Sequence, residues 1–309
     1  MRLLAKDGRG SEPFAGFGNP VLIGPDGTDR SVQYASRGAG AYFKGKYADV
    51  EAVRSLSPLP KTETELLSLA SAMRSKPEQS LWLGDRATET NLKEADLSQK
   101  RVLAFATHGL MSGGMSGLAE PALVLTPPNE ATDVDDGLLT ASEAALLNLN
   151  ADWVILSACN TAAADEPGAD GLSGLARSFF YAGARSMLVS HWPVRDDAAA
   201  RLTTAAISMQ DDNPDLGRAE ALRRSMLVLM NDTSDPSLAH PSAWAPFVIV
   251  GEGGSEASSN AASFDPVAFD ISELKRPNSN GTSTLWAIIG GAALLILAGI
   301  AIIPVSRKN

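Results

Sequence analysis

Three runs of strand length, RVLAFAT (101–107), WVILSA (153–158) and SMLVS (186–190), are almost continuously apolar. A strand with one wet face alternates between apolar and polar residues, whereas a strand without alternation needs cover on both faces. The chain is therefore expected to build a mostly parallel central sheet flanked by helices, with these three runs at its centre. The rest of the pattern agrees. Shorter apolar runs, NPVLIG, SLWLG, ALVLT and FVIVG, alternate with helical segments. Thr62 and Glu65 read as a capping box that opens a helix; another helix lies around TNLKEADL, and a third runs from Thr140 to Leu147 behind the cap TASE. GLSGLARSFFYAG forms a fourth, and two more cross residues 196–231. Such βα alternation defines the α/β class. No helical repeat of about 34 residues recurs, so the chain does not read as a solenoid.

Composition excludes several classes of function. With 309 residues and 44% hydrophobic content the chain can bury a substantial core. Its 26 basic residues face 36 acidic ones, a net charge of −10 that argues against nucleic acid as a partner. One cysteine forms no internal disulfide, and no cysteine and histidine spacing matches a zinc site. No G-x-G-x-x-G follows the first strand and there is no phosphate-loop lysine motif, so no metal or organic cofactor is expected.

The two ends differ. The N-terminus, MRLLAKDGRGSEPF, has no apolar run long enough for the core of a signal peptide. At the other end, residues 285–303 (LWAIIGGAALLILAGIAII) are uncharged over 19 positions, the length that crosses a bilayer core. With no polar face this stretch reads as a transmembrane helix, a single-pass anchor, in preference to a core helix. Trp286 would sit at one interface, and Pro304, Arg307 and Lys308, in the short basic tail 304–309, at the other. Lys275 and Arg276 precede the span and balance the basic pair after it, so the charges do not assign a membrane side. Residues 254–284, rich in Gly, Ser, Asn and Pro, form the expected flexible linker.

Cys159, the single cysteine, directly follows WVILSA. Free cysteine is commonly a small buried core residue, and its neighbours decide whether it is more. RVLAFAT ends in His108 and Gly109. Ligands and catalytic groups collect at the carboxyl ends of parallel strands, so His108 and Cys159 share one crevice if their strands are neighbours. Their separation of 51 residues (159 less 108) follows the logic of a caspase nucleophile about 50 residues beyond its histidine, although SACNT is not the caspase pentapeptide. A thiol of pKa ~8.5 is mostly protonated at neutral pH and needs a nearby imidazole. The backbone N–H groups of Gly109 and Cys159 are the natural donors to an oxyanion, while Gly109 could instead serve an unusual turn.

ATHGL, DGLLTASEAALLNLNADWVILSACNT, GLSGLARSFFYAGARSMLVSHWPV and HPSAWAPFVIVGEG resemble, in this order, the blocks of CHAT domains, caspase-like domains often joined to TPR repeats. The similarity extends over residues 14–253. The resemblance implies a caspase-haemoglobinase-like fold and a cysteine endopeptidase with a dyad of His108 and Cys159, acting on protein or peptide substrates. It also implies control by a partner or upstream repeats, with a TPR-containing regulator as the expected partner. By analogy with caspase-like enzymes, Ser157, two positions before the nucleophile, lines the substrate pocket. Being neutral, it weakly disfavours strict Arg or Lys selection. Trp192 forms a pocket wall or packs. His191 is a rival base whose family block does not require a histidine, so it reads as structural or as pocket wall. His240 takes a turn or capping role. Asp165, Glu166 and Asp170 lie on the loop after Cys159, solvated or contacting substrate. Asn160 stands where the family often has Glu. The chain starts almost on its first strand, without the family's usual repeats; either these were lost or Met1 is an internal start. A non-catalytic membrane-tethered interaction module and an acyl-hydrolase or transferase using the same thiol both stay open.

Overall fold

The structure, a computed structural model, describes residues 8, 10–23, 43–44, 47–110, 120–157, 174–192 and 194–254. The expected linker, transmembrane segment and basic tail lie outside these residues, as do Cys159, Asn160, Asp165, Glu166 and Asp170. Among the described residues no helix is long and apolar enough to cross a membrane.

The strands are β1 (Glu12–Gly18), β2 (Phe43–Lys44), β3 (Tyr47–Ala48), β4 (Leu81–Leu83), β5 (Lys100–Ala106), β6 (Gly109–Leu110), β7 (Ala122–Val124), β8 (Leu138–Thr140), β9 (Trp153–Leu156), β10 (Ser186–Ser190) and β11 (Phe247–Gly251). The helices are α1 (Val50–Arg54), α2 (Lys61–Ala72), α3 (Pro77–Ser80), α4 (Glu89–Glu94), α5 (Ala141–Ala145), α6 (Gly174–Ala182), α7 (Asp196–Asp212) and α8 (Arg218–Met230). Six strands make the central sheet in the order β11-β10-β9-β5-β1-β4. All neighbours are parallel except β10 and β11.

The apolar runs lie where their composition requires. β5, β9 and β10 are adjacent interior strands, and each presents both faces to packed side chains. Along β5, Leu103 and Phe105 enter one core with α6 residues Leu175, Ala176 and Phe179. Val102, Ala104 and Ala106 enter the other, with Leu66 and Leu69 of α2, Leu202 of α7 and Leu222 of α8. Helices therefore cover the sheet on both sides. Full burial of a Leu or Phe side chain contributes about 1.5–3 kcal/mol, so neither face tolerates a polar residue in these runs.

Two expectations fail. The described part of NPVLIG, residues 19–23, is not a strand: β1 lies earlier, over EPFAGFG, and ends where Asn19 takes a left-handed backbone (φ 48°). Its glycines explain why it does not read as a strand. A Cβ at Gly18 would lie 2.6 Å from the Ala106 carbonyl oxygen, and one at Gly16 would lie 2.9 Å from the Leu81 side chain. Close approach to β5 and β4, not strand propensity, chose these residues. The capping box at Thr62 and Glu65 also fails. Pro60 already occupies the N-cap position of α2, without a side-chain cap, and both side chains bond elsewhere. The box at Thr140 and Glu143 is present as expected, opening α5. ALVLT does form a strand, β7, but in a separate antiparallel sheet with β6 and β8.

Candidate functional site

The strand order reverses between β1 and β5: from β1 the chain moves outward to β4, then returns to β5 and continues through β9 to β10. In open α/β sheets, crevices form at the carboxyl ends of strands at such a reversal. β5 and β9 are parallel neighbours in the register Phe105↔Leu156, and the Ser157 N–H donates to the Phe105 carbonyl at 2.9 Å. His108 and Ser157 thus leave the same edge of adjacent strands. Cys159, two residues further on, lies outside the described residues.

His108 is buried, 6% exposed, and its Nε2 lies 2.8 Å from the Ser57 carbonyl oxygen. A carbonyl only accepts, so Nε2 carries the proton and donates. In the neutral ring Nδ1 is then the nitrogen with the lone pair, which fixes the atom able to accept a proton. The backbone of His108 is held as firmly. Its carbonyl accepts from the Val124 N–H at 2.9 Å, while the Thr107 hydroxyl donates to the Val124 carbonyl. Gly109 enters β6 opposite Leu123 and is not among the glycines with a left-handed backbone, so an unusual turn does not account for it.

Ser157 is buried and its hydroxyl donates to Oε1 of Glu65, itself 1% exposed, on the first turns of α2. Neither Ser57 nor Glu65 was legible as a site residue. Ser57 acts through a carbonyl, which every residue has, and Glu65 was absorbed by the capping pattern. The proline at 60 is the signal that could have separated them: it suits the start of a helix, so Glu65 lies beyond the reach of a cap.

β10 brings a third strand end to the same edge. His191 follows it, exposed, with its N–H donating to the Pro246 carbonyl at 3.0 Å, and Trp192 is 43% exposed. His240 is distant in role. Its Nδ1 accepts from the Ser242 N–H at 3.2 Å, the capping role the sequence suggested.

A charged network supports the small sheet beside His108. The buried Glu89 accepts from the N–H groups of Asp136 and Gly137 at 2.8 and 2.9 Å through Oε2, and from Lys93 Nζ at 2.8 Å through Oε1. Lys93 also reaches Glu143 at 2.8 Å. Burial pushes the Glu89 carboxyl up to about 7 against the pull of Lys93. Burial acts on Glu143 too, but hydrogen bonds from Lys93 and Thr140 outweigh it and hold that carboxyl below its ordinary value. The loop so held leads into β8, which pairs with β7, which bonds His108. Among the described residues no cluster of His, Cys, Asp or Glu could hold a metal ion.

A CHAT domain profile matches residues 15–252. The chain belongs to the CHAT domain family. Tetratricopeptide repeat protein 28 of Mus musculus is 28% identical over 221 residues, 63% of this chain and 9% of that protein. Its counterpart from Homo sapiens is 27% identical over 221 residues, covering 63% and 8%. This CHAT chain spans less than a tenth of the length of these curated relatives.

Proposed function

We propose that this CHAT chain is a cysteine endopeptidase of caspase-like fold, with Cys159 as nucleophile and His108 as general base. The observation that carries the reading is the hydrogen bond from His108 Nε2 to the Ser57 carbonyl, at the end of a strand adjacent to the one leading into Cys159. A histidine whose Nε2–H is held by a carbonyl is fixed in the tautomer whose Nδ1 is the basic nitrogen, the form a thiol nucleophile requires. In this reading Nδ1 takes the thiol proton and Sγ attacks the peptide carbonyl. The Gly109 and Cys159 N–H groups receive the oxyanion. The imidazolium then protonates the leaving amine, and water hydrolyses the thioester with the imidazole again as base. Ser157 and Trp192 border the pocket for the residue preceding the cut.

The further parts of the reading are a single-pass anchor at 285–303, reached through the linker 254–284, and control by a TPR-containing partner. Supporting the last is the TPR naming of the relatives. The membrane segment rests on its 19 uncharged residues. A second reading, a membrane-tethered interaction module without catalysis, is favoured by the deep burial of His108.

The deciding experiment adds the full chain in detergent to a lysate and maps new protein N-termini, with Cys159→Ala and His108→Ala as controls. Cuts made only by the unaltered chain are expected. An unaltered chain that makes no cuts and whose Cys159 reacts with a thiol probe no faster than free cysteine would leave the interaction module. Fast labelling without cuts would point to a missing activator or to different chemistry, an acyl-hydrolase or transferase.

A further inference from the structure

We infer that residues 57–65 form a clamp that sets the relative position of the two halves of the dyad, and that Glu65 is its positioning residue. The inference rests on the proposed dyad for its catalytic meaning, but the clamp is a feature of described residues alone. Within nine residues the segment bonds the ends of three neighbouring strands. At one end the Ser57 carbonyl accepts from His108 Nε2, beyond β5, at 2.8 Å. In the middle the Thr62 hydroxyl accepts from the Asn19 N–H, beyond β1, at 3.0 Å and donates to the Leu59 carbonyl at 2.6 Å. At the other end Glu65 Oε1 accepts from the Ser157 hydroxyl, beyond β9.

All three side chains or carbonyls belong to buried residues: Ser57 is 3% exposed and Thr62 and Glu65 are 1% exposed. A polar group is buried at a cost that only a good hydrogen bond offsets, so each bond is tightly specified. The segment is stiff: Pro58 and Pro60 restrict its backbone, and α2, which begins at Lys61, is fastened by Leu66 and Leu69 to the sheet. A displacement at Glu65 therefore moves Ser157 relative to His108. Cys159 follows Ser157 by two residues, and an error of about 1 Å in a reacting pair costs up to about 10²-fold in rate.

The test compares Glu65→Ala and Glu65→Gln in the full chain, first by hydrogen exchange of the peptide spanning residues 153–157. At the Ser157 N–H, which donates to the Phe105 carbonyl, Glu65→Ala should exchange at least about tenfold faster, while Glu65→Gln, whose amide oxygen still accepts the hydroxyl, should stay near the unaltered rate. Unchanged exchange in Glu65→Ala overturns the clamp. If that variant does not fold, Ser157→Ala removes the same bond and is read in the same way. In peptide cleavage, Glu65→Ala should lower kcat about 10–100-fold with KM held, equally for basic and neutral residues before the cut, and Glu65→Gln should restore it. Loss in Glu65→Gln confined to cleavage after Lys or Arg would make Glu65 a charge contact to substrate and overturn the positioning role. If the unaltered chain cuts nothing, the endopeptidase reading fails while the exchange result still decides the clamp.

Discussion

The two edges of the central sheet each bury a carboxylate and treat it differently. At the amino edge Asp152, just before β9, is ringed by guanidinium groups: Arg218 at 3.4 Å, Arg185 at 3.5 Å and Arg101 at 3.6 Å. These arginines reach on to the chain around the sheet, Arg185 to the Gly8 carbonyl and Arg218 to the Glu252 carbonyl. At the carboxyl edge Glu65 accepts a hydrogen bond from the Ser157 hydroxyl, and His108 Nε2–H donates one to the Ser57 carbonyl. Charge at the amino edge ties segments together. Neutral partners at the carboxyl edge orient groups without fixing their charge, the condition a proton-accepting imidazole needs.

The contrast can be broken by substitution. The largest effect is expected at the carboxyl edge, where Cys159→Ala or His108→Ala should lower peptide cleavage by about 10⁴-fold or more. His108→Ala also removes the bond to the buried Ser57 carbonyl and should cost about 1–3 kcal/mol in urea unfolding; that loss without a loss of cleavage would place His108 with the structural edge. Next, Asp152→Ala should destabilise by about 3–5 kcal/mol, because it removes the carboxylate that faces the buried Arg185 and Arg218 guanidinium groups. Urea unfolding measures this, and a neutral result would mean the arginines are satisfied by their carbonyls alone.

The Glu89 network sharpens the comparison through pH. Its folded carboxyl sits at about 7 against an ordinary 4.5, so the folded chain binds the proton more tightly than the unfolded one. The stability it contributes is full below 4.5, falls as pH rises towards 7 and levels off above. Glu89→Gln should flatten that slope in urea titrations at successive pH values, whereas an unaltered slope would assign it to other groups. The smallest effect belongs to Thr140→Ala, which removes the cap of α5 and should cost about 1 kcal/mol, read as a fall in Tm.

Much of this was legible from local pattern. β5, β9 and β10 carry their burial on both faces into composition, and the α5 cap follows from a four-residue motif. Thr140 and Thr62 head the same kind of motif with opposite outcomes. At Thr140 the preceding strand leaves the helix start free to be capped. At Thr62 the helix has begun one residue earlier, and tertiary partners claim both side chains. β1 escaped notice because its glycines answer to neighbours distant in sequence, Ala106 and Leu81.

The sequence by itself determined the α/β class, the three covered central strands, the CHAT family and which histidine follows which strand. These depend on periodicity, composition and ordered motifs, all local to the chain. Only the tertiary structure decided that β5 and β9 are neighbours in register, that Ser57 selects the histidine tautomer, and that Glu65 serves Ser157 instead of a helix end. Each of those is a contact between residues at least 50 positions apart. Hydrogen bonds of that span are set by how sheet and helices pack, and packing leaves no signature in the spacing of the residues it joins.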